Sequence, residues 1–127
     1  MDEIRIKVYH GRALQLANAM KLCRDDLPSY AWAAALLAIH SAISYCDAVL
    51  FKLSGQRSRS PDHEQAVTVV TMACKKRKIP TDGIKHLDKL VSAKTDISYG
   101  DQQVDNQRAE ALCLAAERFQ TWAERLL

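Results

Sequence analysis

Apolar side chains recur at steps of three and four over most of this chain, the period of a helix with one face turned inward. The clearest run covers 29–53, where Trp32, Leu36, Ile39, Ile43, Cys46, Leu50 and Leu53 share a face and neither Gly nor Pro intervenes until Gly55. It predicts a long second helix around which the rest is organised. Upstream, a first helix is expected over about 4–23, with Ile4, Val8, Leu14, Ala17, Met20 and Leu22 toward the core. Gly11 weakens its middle by about 1 kcal/mol against Ala, which allows a start nearer Arg12. Arg24-Asp25-Asp26-Leu27-Pro28 breaks the pattern, and Asp26 or Ser29 suits the cap that follows.

After a polar loop over 56–62, Asp62 is a good N-cap for a third helix, with Gln65 placed as a capping box prefers. The β-branched run from Val67 to Thr71 would suit a strand, but the chain offers no second strand to pair with, so helix is the reading. A fourth helix starts at Pro80-Thr81-Asp82, buries Ile84, Leu87, Leu90 and Val91, and ends near Lys94. Residues 95–103 read as irregular, with Tyr99 beside Gly100. The last helix opens at Asp105 and aligns Ala109, Leu112, Ala116, Phe119, Ala123 and Leu126 to the end of the chain.

Composition agrees with an all-α bundle. With 127 residues the chain makes one domain, 1–127, and four Gly and three Pro are too few for a turn-rich sandwich or barrel. Apolar residues at 48% and charged residues at 26% suit a globular protein. The formal charge of +3 permits an anionic partner without demanding one. The four cysteines are dispersed in apolar helical segments with no metal-ligand spacing, which reads as buried thiols in a reducing cytoplasm and no metal. The charged start MDEIRIK leads into no signal-like apolar stretch, and the longest apolar run, within 31–39, is short of the roughly 20 residues of a membrane span. A cytoplasmic protein without a membrane partner is expected.

Candidate chemistry concentrates after the second helix. Arg57 and His63 stand at a loop-to-helix junction, where a guanidinium and an imidazole can hold a phosphate and move a proton near neutral pH. That suits metal-free RNA cleavage by the ribose 2′-hydroxyl, with His63 as acid or base and Arg57 stabilising charge on phosphate. The plainer reading is that Asp62 and His63 open a helix while Arg57 and Arg59 face water. His40, Ser44 and Asp47 form a polar line on the second helix, and burying such groups unpaired costs roughly 1–3 kcal/mol each. Asp47 and His40 could orient the pair, or fix helix register. Tyr99 suits stacking on a base or packing across two helices. Lys75, Lys76, Arg77 and Lys78 close the third helix, either as a solvated end favoured by the helix dipole or, with Arg59, as a phosphate contact. His10 and His86 have no partners nearby in sequence and read as surface or structural. Phosphate-loop, zinc-protease and serine-hydrolase signatures are absent, so no cofactor is expected.

From about Ser29 onward, the AWAAALLAIHSAISYCDAVL helix, the GQRSRSPDHEQAV junction, the TDISYGD segment and the closing AERFQTWAERL helix resemble the HEPN superfamily, the higher eukaryote and prokaryote nucleotide-binding domains. The resemblance implies an up-and-down bundle of four to five helices, commonly a homodimer. Many HEPN proteins are metal-independent RNases with an Arg, four to six residues, then a His, a spacing that Arg57 and His63 match. Some are toxins paired with a nucleotidyltransferase antitoxin; others lack the motif and act as binding or scaffold modules. Ser58 stands where the RNases commonly carry Asn, Asp or His, and Gln65 where many toxins have Tyr. The implied function is RNA or nucleotide handling, the alternative a non-catalytic partner-binding module.

Overall fold

The computed structural model describes residues 2–55 and 64–127. Among them all regular structure is helical: α1 (Asp2–Arg24), α2 (Leu27–Ser54), α3 (Glu64–Lys76), α4 (Ile84–Tyr99) and α5 (Asn106–Leu126). The all-α bundle expected from the spacing is therefore present.

α2 is the central helix, packed against the other four. Its predicted stripe is only part of what it buries. Ile39, Cys46, Leu50 and Leu53 point inward, but so do Ala34, Ala35, Ala38, Ala42, Tyr45, Ala48 and Val49, because helices cover it on several sides. By length and composition α2 could cross a membrane, contrary to the reading of its longest apolar run, although 67% of its apolar window is buried against the rest of the bundle. Its start is kinked. Pro28 sits in a single turn held by Asp26, Tyr30 departs from helical geometry at φ −132°, ψ 23°, and the continuous helix runs from there.

α1 runs unbroken through Gly11 from Asp2. Its buried line is Ala13, Ala17 and Met20, while Ile4, Val8 and Leu22, expected in the core, are exposed. The physical reason is that small residues decide the contact: an alanine face lets α1 approach the alanine-rich side of α2 closely. The N-terminal half is held by Tyr9, whose ring stacks on Phe51 of α2 at 5.1 Å. At the other end Arg24 bonds both Glu110 and Glu117, tying α1 to α5.

The β-branched segment is helical, as read. α3 ends in a Schellman motif, with the Lys78 N–H donating to the Lys75 carbonyl and the Ile79 N–H to the Cys74 carbonyl. α4 starts at Ile84, after a turn over 81–83, and continues to Tyr99 rather than stopping near Lys94. Ile97 is 1% exposed, and burying it carries the helix one further turn until Gly100. Asp105 caps α5 through the Arg108 backbone N–H at 2.7 Å. Trp122 of α5 stacks on Phe119 and donates its indole N–H to the Pro80 carbonyl at 3.0 Å, fixing the α3–α4 connection.

Candidate functional site

α2 ends because Gly55 takes the left-handed conformation at φ 74°, where glycine carries no Cβ penalty, and returns its N–H to the Phe51 carbonyl at 2.9 Å. The chain then enters 56–63. Arg57, Arg59, His63 and the proposed cap Asp62 lie outside the described residues, as does the question of whether Arg57 and His63 share a hollow.

The elements flanking that segment are described. Asp47 and His40 lie on α2, each partly buried and two helical turns, about 10 Å, apart along the axis. Asp47 is seven residues before the end of α2. The basic run comes to the same end of the helix. Arg77 donates to the Leu53 carbonyl, and Lys75, Lys76 and Lys78 are exposed beside it. Arg77 is thus occupied by a backbone acceptor, whereas the three lysines face water. Lys78 sits at φ 59°, a conformation that L side chains rarely adopt.

Tyr99 is not part of this arrangement. It is the last residue of α4 and 81% exposed. Trp32 donates its indole N–H to the carbonyl of neighbouring Ile97 at 2.7 Å, which places Tyr99 at the beginning of α2. Trp32 and Asp47 are fifteen residues, about 22 Å, apart along that helix. Neither a ring packed across two helices nor a side chain beside Asp47 describes Tyr99.

A polar cluster that local sequence spacing does not reveal crosses the seam of α1, α2 and α5. His10 Nε2 lies 2.5 Å from Glu124 Oε1, without the alignment of a hydrogen bond. The Tyr45 hydroxyl donates to Glu124 Oε2 at 3.2 Å and accepts from Gln120 Nε2 at 3.0 Å. Burial is the main cause that pushes the Tyr45 hydroxyl up to about 12, so it is held neutral as a tie rather than a base. The available signal was Tyr45 itself, a hydroxyl in the most apolar helix, which when buried demands a partner. His10 is correspondingly structural, packed beside Glu124 and against the Tyr45 ring at 5.8 Å.

Burial raises the thiols of Cys46, Cys74 and Cys113, with Cys113 at about 11, which suppresses the nucleophilic thiolate. Among the described residues no cluster of three or more His, Cys, Asp or Glu could hold a metal ion. A cleft of about 700 Å³ lies at the Trp32 end between the start of α2 and the α4–α5 connection.

No protein-family model matches the chain, and no curated protein matches it.

Proposed function

We propose that this protein is a HEPN-like bundle that binds RNA at the end where α2 hands over to 56–63 and cleaves it without a metal. His63 accepts the 2′-hydroxyl proton, the oxygen attacks the adjacent phosphorus, and Arg57 stabilises the charge that develops on the phosphate oxygens. The 5′-oxygen leaves as an alcohol on taking a proton from solvent water, His63 returns its proton to solvent, and a 2′,3′-cyclic phosphate remains. Asp47 and His40 orient the pair, and Arg59 with Lys75, Lys76 and Lys78 holds flanking phosphates. Arg77 contributes to the field but is bonded elsewhere.

The observation that carries this reading is the Arg77–Leu53 bond. It anchors a run of four cations at the helix end leading into a segment that contains two more arginines and a histidine. Such a concentration favours a polyanion. The biological setting proposed with it is a cytoplasmic homodimer, in a toxin-like role opposed by a nucleotidyltransferase antitoxin.

A second reading, a non-catalytic module that binds a protein partner, is favoured by the exposed apolar residues Ile4 and Val8 on α1 and Val69 and Met72 on α3. The deciding experiment incubates the protein with labelled RNA in EDTA, beside His63→Ala, Arg57→Ala and a Lys75→Glu/Lys76→Glu variant. Cleavage lost in the first two and binding lost in the third supports the enzyme. Binding without cleavage by the wild type leaves an RNA-binding module, and neither leaves the protein-partner reading.

A further inference from the structure

The Trp32 cleft has a chemistry opposite to that of the basic end. Its walls are Pro28, Ala31, Trp32 and Val104, its polar groups include Asp101 and Asp105, and none of its lining residues is basic. Trp32 is 50% exposed, yet its indole N–H is committed to the Ile97 carbonyl. The ring is therefore fixed at one edge and has a face, not a donor, to present to a ligand.

Two opposing charges meet here. The N-termini of α2 and α5 border the cleft, and each helix start carries about half a positive charge. The two carboxylates carry a full negative charge apiece, so negative charge prevails. Two cations of this end, Arg108 and Arg24, are bonded to Asp96 and to Glu110 and Glu117. Phosphate is disfavoured in such a place, while a cation with an apolar stem gains from both the ring and the carboxylates. Gln102, Gln103 and Asn106 add amides, each able to donate and to accept. That pattern complements a peptide backbone, which an isolated amine lacks.

We propose that this cleft docks a basic peptide segment of a partner protein, an Arg or Lys stem lying over Trp32 with its charge toward Asp101. The site is independent of the RNA reading, since it uses residues at the opposite end of α2.

The test titrates acetylated, amidated Gly-Arg-Gly-Arg-Gly into ¹⁵N-labelled full-length protein and follows the Trp32 indole N–H resonance. A saturable shift with Kd below about 1 mM is expected, weakened about fivefold or more by Asp101→Asn and by added salt. Asp101 is exposed, so that variant tests the contact without threatening the fold. The Lys75→Glu/Lys76→Glu variant should bind the peptide as the wild type does. The proposal is overturned by no saturation up to about 5 mM, by an equal response to acetylated, amidated Gly-Gln-Gly-Gln-Gly or to arginine amide alone, or by indifference to Asp101→Asn.

Discussion

Trp122 lies so close over Gly83 that a Cβ at Gly83 would come within 2.2 Å of the indole Cγ and 2.5 Å of the Trp122 Cβ. Those atoms belong to the stiff root of the side chain, and the indole is held further by Phe119 and the Pro80 carbonyl. Gly83→Ala should therefore destabilise the protein by roughly 1–3 kcal/mol through overpacking, although Gly83 itself has ordinary helical dihedrals. Urea unfolding followed by circular dichroism measures it, and a change within error of zero would mean that Trp122 can swing away.

Gly11 provides the opposite case. A Cβ built there meets nothing within 4 Å, and the residue lies inside a continuous helix. Gly11→Ala should stabilise the protein by about 0.5–1 kcal/mol, since the helix keeps its contacts while the unfolded chain loses freedom. The same unfolding experiment should give a higher midpoint at an unchanged slope.

These two glycines illustrate what the sequence made legible. Gly11 could be recognised as a weak point within a helix, because that penalty is local. The demand for glycine at Gly83 could not, because it comes from a ring thirty-nine residues away. The same division runs through the fold. Val67–Thr71 is helical despite its β-branched residues, and no strand occurs among the described residues for it to pair with, an argument the spacing along the chain already supplies. On α1 the spacing places Ala17 and Met20 in the core, where they are buried. It also places Ile4, Val8 and Leu22 there, which are exposed, and passes over Ala13, which is buried, since close approach to α2 favours small residues. At the candidate site, the cationic run was plain in sequence, but its attachment to α2 depends on Arg77 reaching Leu53. The His10–Glu124 contact joins residues from opposite ends of the chain, where no spacing rule applies.

Cys46, Cys74 and Cys113 are buried, with their thiols held above their ordinary value by burial; Cys23 is partly exposed. A thiol-reactive disulfide reagent at neutral pH should modify no more than one cysteine of the native chain promptly, and all four after denaturation. Cys23→Ser should abolish the prompt phase. A second fast thiol would show that the bundle opens locally around one of the buried three.

Acid should weaken the fold in two stages. Burial, with Lys85, Arg118 and Lys89 nearby, lowers the His86 imidazole below its ordinary 6.5. The folded state thus prefers neutral His86, and its contribution is present above pH 6.5 and lost as pH falls through the lowered value. The hydrogen bonds from Arg24 hold Glu110 below its ordinary 4.5, so that contribution survives further into acid and is lost only as pH falls through the depressed value. Urea midpoints measured against pH should decline in both windows. His86→Gln should flatten the upper decline, which sets in below the ordinary 6.5 of the imidazole, and Arg24→Met the lower one. If His86→Gln leaves the upper window unchanged, another group titrates there.

Lys78 occupies the position of the α3 Schellman motif where glycine is usually found, at φ 59°. For a lysine that conformation costs on the order of 1 kcal/mol, and nothing in the turn requires a side chain there, since both hydrogen bonds come from backbone groups. Lys78→Gly should accordingly stabilise the protein by about 0.5–1 kcal/mol. If the basic end binds RNA as proposed, the same substitution removes a phosphate contact, so affinity should fall while stability rises. The slope of log affinity against log salt should shrink by about one, the signature of a single lost phosphate contact. Opposite movement of stability and RNA affinity in one variant separates a cation kept for binding from one that merely finishes a helix. A gain in stability with unchanged RNA affinity and salt slope would assign Lys78 to the solvated end of α3 and confine phosphate contact to the other cations.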